Sequence, residues 1–303
     1  MSKSMSRTGI AYLKHVFNPA GGCTHISPGC ENCYAEDLHT KRHCAYKTGK
    51  KMSECYSQPF DKIRLFPERL NQPLHVRKPS VVGVCFMSDL FHDEVPFEFI
   101  DRVMAVIAAT PRHTYIILTK RSERMKEYFD SAELRVLKLL LEKHPAWKTE
   151  FSWPLKNLGG GVSVENQDMP DERVPILLQT NLAWRWLSVE PMLEPIDIED
   201  YLTERDCVLC DPSECDAYGD SECREVGNLP EAKINGVVCG CEAVNRKPGR
   251  HIDIKAIRSL RDQCVENDTP FFLKQMEIDG KLVEMPELDG RKWDQMPEVI
   301  HGM

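Results

Sequence analysis

Six short apolar runs, with helical patterns between them, constrain the fold of this 303-residue chain more than any other feature. The runs cover residues 81–87, 114–119, 158–164, 184–189, 234–239 and 270–273. Continuous apolarity over so few residues is typical of parallel strands that are buried on both faces. Helical patterns lie at residues 97–109, 131–143 and 252–267. The alternation predicts an α/β fold of parallel βαβ units, with a full or partial (β/α) barrel as the first choice and an open doubly wound sheet as the second.

Residues 200–230 interrupt this alternation, because they are acidic and cysteine-rich and lack an apolar period. They predict an insertion within a single domain that covers residues 1–303. An apolar share of 42% with 28% charged residues is typical of a soluble globular chain. No run approaches the ~20 apolar residues of a membrane span, and no signal-peptide pattern opens the chain, so we expect a cytoplasmic protein.

The overall charge is acidic, with a formal net charge of −8 and a pI near 5.7. This balance argues against broad, sequence-blind binding to nucleic acid, which depends on excess Lys and Arg. It leaves room for a small basic cleft within an acidic protein.

Polar residues follow the apolar runs, one group at each strand end. They are Ser88, Asp89, Lys120, Arg121, Ser163, Glu165, Ser188, Glu190, Glu242, Lys274 and Gln275. In a parallel barrel the carboxyl ends of all strands meet at one mouth, where active sites form. The series therefore predicts a shared polar mouth, although each group taken alone is also typical of an ordinary strand cap or turn.

Three cysteines near the N-terminus, Cys23, Cys30 and Cys33, have the spacing C-x6-C-x2-C. Cysteine thiolates hold iron–sulfur clusters, usually four to a cluster, so a set of three leaves one iron of a [4Fe-4S] cluster without a protein ligand. S-Adenosylmethionine can bind an open iron through its amino and carboxylate groups, and its reductive cleavage releases a 5′-deoxyadenosyl radical. The alternative is a structural zinc site. Its fourth ligand would be His25, His39 or His43.

A second group of cysteines lies in the insertion, with the spacing C-x2-C-x4-C-x7-C. Its members are Cys207, Cys210, Cys215 and Cys223. Four thiolates suit a closed zinc site or an auxiliary iron–sulfur cluster, and we favour zinc over the cluster and either over unliganded thiols. The isolated Cys85, Cys239 and Cys264 lie in apolar or helical contexts, so we expect inert core thiols there.

Several longer blocks of sequence are spread along nearly the whole chain. They read CTHISPGCENCYAE at residues 23–36, FMSDLFH at 86–92, LTKR at 118–121 with ERM at 123–125, GVSVENQ at 161–167, LSVEPML at 187–193 and FFLKQ at 271–275. These blocks resemble those of the phage Gp37/Gp68 family, a radical-SAM-like group with an atypical three-cysteine motif. One block departs: the family commonly reads GGESG, whereas this chain keeps Glu242 but has Cys241 and Val244 in place of glycines. The change indicates either a different substrate or repacking.

The resemblance implies a full or partial barrel of radical-SAM type, a [4Fe-4S] cluster on the three N-terminal cysteines and S-adenosylmethionine as cofactor. Members of the group are similar to enzymes that hypermodify thymidine in bacteriophage DNA, a means of restriction evasion. One reaction implied is an isomerisation of N-linked glycyl-thymidine to the C-linked form, by hydrogen abstraction and radical migration. A flavodoxin-like or ferredoxin-like partner would supply the electron, in the host cytoplasm if the protein is viral. The alternative is a zinc-stabilised nucleic-acid-binding or regulatory protein without redox chemistry.

The same resemblance suggests roles for the strand-end residues. Those expected to contact S-adenosylmethionine or polar groups of the substrate are Ser88, Asp89, Ser163, Glu165, Ser188, Glu190 and Glu242. Lys120, Arg121 and Lys274 are expected to bind substrate or its phosphates, with Arg124, Arg246, Lys247 and Arg250 as weaker candidates. A DNA substrate would have to release its target base from the stack to reach a buried site. The sequence assigns no residue a catalytic role.

Overall fold

The computed structural model describes residues 4–143, 151–203 and 233–298. Its strands are β1 Ser6–Arg7, β2 His15–Phe17, β3 Ala20–Gly21, β4 Arg64–Leu65, β5 Val81–Val84, β6 Thr114–Thr119, β7 Leu158–Ser163, β8 Trp184–Val189, β9 Val237–Gly240, β10 Ala243–Val244, β11 Lys247–Pro248, β12 Phe271–Ile278, β13 Lys281–Glu284, β14 Glu287–Leu288 and β15 Arg291–Lys292. Its α-helices are α1 Tyr34–Lys47, α2 Phe97–Ala108, α3 Ser122–Ser131, α4 Glu133–Lys143, α5 Asp168–Leu178, α6 Glu199–Leu202 and α7 Ile254–Glu266. Short 3-10 helices cover Pro28–Cys30, Glu54–Tyr56, Pro67–Arg69 and Pro73–His75.

The main sheet has nine strands in the order β1-β2-β5-β6-β7-β8-β9-β12-β13. The seven inner strands are all parallel, and they lie side by side in the order in which they occur along the chain. A doubly wound sheet would reverse its order at a switch point, and this sheet does not. Because parallel crossovers are right-handed, an unreversed order places the connecting helices on one face, as in a barrel. The α/β prediction is therefore confirmed.

Antiparallel strands close both sides of the parallel part, β1 against β2 and β13 against β12. Within the described part of the chain these two edge strands do not pair with each other, so the sheet is open. Of the two barrel forms expected from the sequence, the structure has the partial one.

The two faces of the sheet carry separate hydrophobic clusters. The larger cluster joins strand residues such as Tyr115 and Ile117 to helical residues such as Ile100 and Met104. The smaller cluster contains no helical residue, and its members are Tyr12, Leu13, Ile116, Trp184, Trp186, Val238, Phe272 and Met296. In it the ring of Tyr12 lies edge-on, 5.3 Å from Trp186 and 5.4 Å from Phe272 between centroids. The segment before β2 thus covers the face of the sheet opposite the helices.

The glycine-rich sequence of β7 is explained by the tryptophans of its neighbour β8. A Cβ atom on Gly159 would overlap the ring of Trp184, and one on Gly161 would overlap Trp186. Glycine in a strand interior has a cost in conformational entropy, and close approach of a neighbour is a common reason for it. Here the close approach lets two large rings pack flat against the sheet.

Four element predictions differ from the structure. The strand expected at residues 81–87 ends at Val84. The helix expected at residues 131–143 is preceded by a separate helix, α3, because Met125, Tyr128 and Phe129 form a buried stripe within a polar segment. The strand expected at 234–239 begins later, at Val237. The strand expected at 270–273 continues to Ile278 and turns into β13.

Most of the predicted insertion, residues 204–232, lies outside the described residues, so the insertion and the single-domain organisation stay predictions. Among the residues that are described, no helix has the length and apolarity needed to span a bilayer.

Candidate functional site

A cavity of about 360 Å³ opens at the carboxyl ends of the parallel strands. Cys23, Cys30 and Cys33 line it together with most of the strand-end residues predicted from the sequence. Those residues are Ser88, Asp89, Lys120, Arg121, Ser163, Ser188, Glu190, Glu242, Lys274 and Gln275. Glu165 is the exception, because it is fully buried behind Lys120. The volume is in the range of ~300–1,000 Å³ that is typical of ligand sites.

The three cysteines lie on one loop that we call the cysteine loop, residues 22–33. Gly22 has φ +87°, and a Cβ there would overlap the carbonyl of Lys62, so the loop can begin only with glycine. The Cys23 N–H donates to the Phe60 carbonyl at 3.0 Å. Cys30 ends a 3-10 turn, and Cys33 is the residue that caps the start of α1.

Asp89 and Arg121 connect the ends of β5 and β6 to the first cysteine. The Asp89 carboxylate accepts hydrogen bonds from Thr119, from the backbone of Phe91 and from Arg121 Nη1 at 3.1 Å. Arg121 Nη1 lies 3.8 Å from Cys23 Sγ, and Nη2 donates to Thr24. The positive charge of Arg121 therefore lies next to the Cys23 thiol, and Asp89 holds the Arg121 side chain in this position.

Glu165, at the end of β7, holds the middle of the cysteine loop. Its carboxylate accepts from the Gly29 N–H at 3.0 Å and from Lys120 Nζ at 3.0 Å, and Arg173 Nη1 lies 3.2 Å away. Lys120 also donates to Ser27 of the loop. Burial alone would raise the pKa of Glu165, but the cations and the hydrogen bonds outweigh it and hold the pKa below its usual range.

Glu242, just after β9, holds the last part of the loop. It accepts from Asn32 Nδ2 at 3.2 Å and from the backbone and guanidinium of Arg250. Arg250 also donates to Glu31 and to the Pro28 carbonyl of the loop. Burial would raise the pKa of Glu242, and the Arg250 and Asn32 hydrogen bonds lower it below the usual range.

Glu190, just after β8, and Lys274, on β12, line a further part of the cavity that we call the second wall. Lys274 Nζ lies 2.8 Å from Glu190 Oε1, and both side chains are partly exposed, Lys274 by 25% and Glu190 by 14%. Ser188 donates to Glu190 at 3.3 Å. Behind them, burial and the charge of Glu190 raise the pKa of Tyr12 well above its usual value, so its hydroxyl stays protonated.

The histidines considered as zinc ligands have other partners. His25 pairs with Glu36, His39 Nε2 contacts the Gln58 carbonyl at 2.8 Å, and His43 Nδ1 contacts the Tyr56 carbonyl at 2.8 Å. Across residues 4–143, 151–203 and 233–298, no three His, Cys, Asp or Glu side chains are arranged to hold a metal ion. These contacts do not favour a zinc site on the cysteine loop.

The thiols fit an iron–sulfur cluster better than a single ion. In a [4Fe-4S] cluster each thiolate binds a different iron, so the three sulfurs line one cavity without converging on a point. Burial, and next the charge of Asp89, raise the pKa of Cys23 to about 11, against the opposing effect of Arg121. Burial also raises the pKa of Cys33. Binding of metal must therefore release protons from these thiols.

The remaining cysteines of the described residues range from the exposed Cys44 and the half-buried Cys55 to fully buried thiols. Cys85, Cys239 and Cys264 are buried, as predicted for core thiols. Cys85 and Cys241 also line the cavity. The second predicted cluster, Cys207, Cys210, Cys215 and Cys223, lies outside the described residues.

Two arginines of the site have roles that the sequence did not show. Arg173 is buried in the middle of α5, where nothing but its position on a largely apolar helix face singles it out. Arg250 was a candidate for phosphate binding and instead pairs with Glu242. Arg124, another such candidate, donates to backbone carbonyls of residues 92–95 and stacks on Phe97 at 4.5 Å.

Comparisons with known proteins give a family and a distant structural likeness. A family model described as "Protein of unknown function (DUF5131)" matches residues 7–297. A search of curated proteins found no match. A double mutant of spore photoproduct lyase with bound AdoMet and dinucleoside spore photoproduct is 11% identical, with a TM-score of 0.44 over 93% of this chain and 70% of that one.

Two further solved structures are similar at the same level. Spore photoproduct lyase complexed with dinucleoside spore photoproduct is 10% identical, with a TM-score of 0.42 over 93% of this chain and 70% of that one. A cysteine-to-alanine mutant of the same lyase is 11% identical, with a TM-score of 0.41 over 64% of this chain, and there the match spans about half, 49%, of the other protein.

Proposed function

We propose that this chain, which belongs to the DUF5131 family, whose description gives no activity, is a radical S-adenosylmethionine enzyme. Its [4Fe-4S] cluster would be held by Cys23, Cys30 and Cys33. The observation that carries the proposal is the shared cavity in which the three thiols face a wall of polar strand-end residues. Three protein ligands leave one iron for the cofactor. The phage Gp37/Gp68 resemblance stays a prediction.

When bound, the cluster and S-adenosylmethionine would supply a 5′-deoxyadenosyl radical, with one electron from a ferredoxin-like or flavodoxin-like donor. The protein's own residues prepare the site for this chemistry. Arg121 places positive charge beside Cys23 and partly offsets the burial that raises the pKa of this thiol. Glu165 and Glu242 bond the cysteine loop directly and Asp89 holds it through Arg121, and the carboxylates of all three already accept hydrogen bonds from protein groups.

These contacts change the roles expected from the sequence. Asp89, Glu165 and Glu242 were expected to contact the cofactor, and we now propose them as positioning residues for the cysteine loop. The partly exposed Glu190 and Lys274, with Ser188 and Ser163 nearby, are better placed for polar contacts with S-adenosylmethionine or the substrate. A carboxylate there can accept from hydroxyl or amino groups, and the ammonium can donate to a carboxylate or phosphate.

We propose nucleic acid as the substrate class, with a modified thymidine in DNA as the specific form. Abstraction of a hydrogen atom from the glycyl α-carbon of N-linked glycyl-thymidine would give a radical stabilised by nitrogen and carboxylate. Migration of the thymine methylene from nitrogen to carbon, followed by return of a hydrogen atom, would give the C-linked isomer without net oxidation. The target nucleotide must leave the stack to reach the cavity.

The radical chemistry is tested by anaerobic reconstitution with iron and sulfide, then incubation with S-adenosylmethionine and dithionite. We expect iron bound to the wild type and 5′-deoxyadenosine in the products. Cys30→Ser should abolish both, whereas Cys44→Ser, an exposed thiol on α1, should change neither. Protein that binds zinc but no iron, or a Cys30→Ser variant that still makes deoxyadenosine, would contradict the proposal.

The isomerisation is tested separately with DNA that contains glycyl-thymidine. After digestion to nucleosides, liquid chromatography coupled to mass spectrometry should show a product nucleoside of unchanged mass and different retention time. If 5′-deoxyadenosine forms but no nucleoside changes, glycyl-thymidine is rejected as the substrate. The proposal of a radical enzyme then still stands.

We also propose zinc at the second group of cysteines, Cys207, Cys210, Cys215 and Cys223. Metal analysis before and after chelation of the iron is the test. Zinc that survives chelation would support the proposal, and extra iron in its place would indicate an auxiliary cluster.

A further inference from the structure

Charge is distributed unevenly along the chain. Residues 41–64 contain seven Lys and Arg and two acidic residues, whereas residues 204–232 contain nine acidic residues and two Arg. Since the whole chain has a net charge of −8, the excess acid belongs almost entirely to that second stretch, and the remainder is close to neutral. The acidic total therefore does not count against an anion-binding surface elsewhere on the molecule.

The basic stretch is fixed beside the cysteine loop. Helix α1 starts at the loop, and residues 50–64 return along it, held by contacts of His39 and His43 with the carbonyls of Gln58 and Tyr56. The return ends in β4, which pairs with β3 directly before the cysteine loop. The stretch is thus part of the same structural unit as the cavity rim.

Five lysines of this stretch are exposed, and we call them together the basic shelf. They are Lys41, Lys47, Lys50, Lys51 and Lys62. Lys41 pairs with Asp37, and Lys62 lies 3.7 Å from Asp61. The other three form no ion pair with any residue that the structure describes. Exposed lysines without acidic neighbours are suited to phosphates, which they bind as point charges.

The cavity rim, where α1 begins, has apolar groups suited to a nucleobase. The side chains of Ile26 and Tyr34 line the cavity, yet 46% and 52% of their surface is exposed. Aromatic and apolar side chains next to a positive groove are the usual arrangement for single-stranded nucleic acid. Since α1 begins at the rim and carries Lys47 of the shelf in its last turn, one extended strand can contact both with its backbone and its base.

We propose that the basic shelf binds the phosphate backbone of a single-stranded nucleic acid whose target base enters the cavity. The inference deepens the proposed function and rests on it for the identity of the cavity. Binding by the shelf needs neither the cluster nor the reaction, so the two proposals can fail independently.

The test measures binding of a fluorescein-labelled oligothymidylate of about 20 nucleotides to the full chain by fluorescence anisotropy. We compare Lys47→Glu/Lys50→Glu/Lys51→Glu with a control of equal charge change, Lys138→Glu/Lys143→Glu/Lys281→Glu, whose lysines are exposed and lie outside the shelf. Salt is varied between about 50 and 200 mM, since each phosphate contact to a single strand contributes about 0.7 to the slope of log affinity against log salt.

We expect the shelf variant to weaken binding by about tenfold or more at low salt and to lower the salt slope by about 2. The control should remain close to the wild type. Equal weakening by both variants would assign binding to overall charge and overturn the shelf, as would absence of binding by the wild type. An oligouridylate probe distinguishes DNA from RNA. If the reconstituted enzyme forms no 5′-deoxyadenosine, the proposed function is overturned. The measured binding of the oligonucleotide to the shelf would still stand.

Discussion

The two walls of the cavity use the same kinds of residue in different ways. On the wall that carries the cysteine loop, Glu165 is fully buried and its oxygens are occupied by the loop and by two cations. On the second wall, Glu190 and Lys274 pair with each other and remain partly exposed. A buried, saturated carboxylate fixes structure, whereas a partly exposed pair can exchange its partner for a ligand. The difference separates residues that position the site from residues available to bind.

The strongest test of this comparison is Glu165→Ala. The change leaves Lys120 and Arg173 close together without their anion, and loss of one partner from a buried ion pair costs about 3–5 kcal/mol. Urea unfolding should show a loss of that size. The exposed Glu172→Ala on α5 is the control and should change the free energy of unfolding by less than about 0.5 kcal/mol. A Glu165→Ala loss below about 1 kcal/mol would remove the distinction between the walls.

Gly29→Ala probes the same wall from the loop. A Cβ on Gly29 would lie 2.6 Å from Lys120 Nζ and 2.9 Å from Glu165 Oε1, so the loop must shift away from the carboxylate. Overpacking of this kind costs about 1–3 kcal/mol. We expect that loss in urea unfolding, together with less iron bound after reconstitution. Gly9→Ala, with no atom within 4 Å of its Cβ, is the matched control. Normal iron content in Gly29→Ala would show that the loop is held elsewhere.

Lys274→Met tests the role of the second wall in binding a ligand. Because the pair with Glu190 is partly exposed, we expect the free energy of unfolding to change by less than about 1 kcal/mol. Formation of deoxyadenosine should nevertheless fall by about tenfold, as a lost charged hydrogen bond of ~1.5 kcal/mol would produce. Large destabilisation with unchanged deoxyadenosine would reverse the roles of the two walls.

The smallest expected effect concerns pH. The pKa of Glu165 is lowered in the folded protein, so its charge contributes stability that is complete above the unfolded-state pKa and is lost as pH falls through the folded one. Below about pH 4.5 the wild type should therefore lose stability with falling pH more steeply than Glu165→Gln. Urea midpoints measured between about pH 6 and 3 give the two slopes. Parallel slopes would show that this carboxylate does not titrate with unfolding.

The fold was largely predictable because its signal is local. Buried parallel strands have continuous apolar runs, and β6 and β8 match the predicted ranges at both ends. Helix α3 was missed because polar residues outnumber its buried Met125, Tyr128 and Phe129, although their spacing fits a helix face. The strand order was not predicted, since no single residue decides between a barrel and a doubly wound sheet.

The site was predictable in position and not in detail. Parallel strands bring their ends together, so the sequence was sufficient to predict which residues surround the cavity. Their partners depend on tertiary contacts that no local pattern marks, such as Glu165 with Arg173 and Glu242 with Arg250. For this reason a role in holding the loop could not be distinguished from a role in binding the cofactor.

Helix α1 connects the cysteine loop with the basic shelf, and so the regions on which the two functional proposals rest. It begins directly after Cys33, and its last turn carries Lys47 of the basic shelf. Its 14 residues make a rigid rod about 21 Å long between these points. A strand bound at the shelf must therefore extend over about the length of α1 for its target base to enter the cavity.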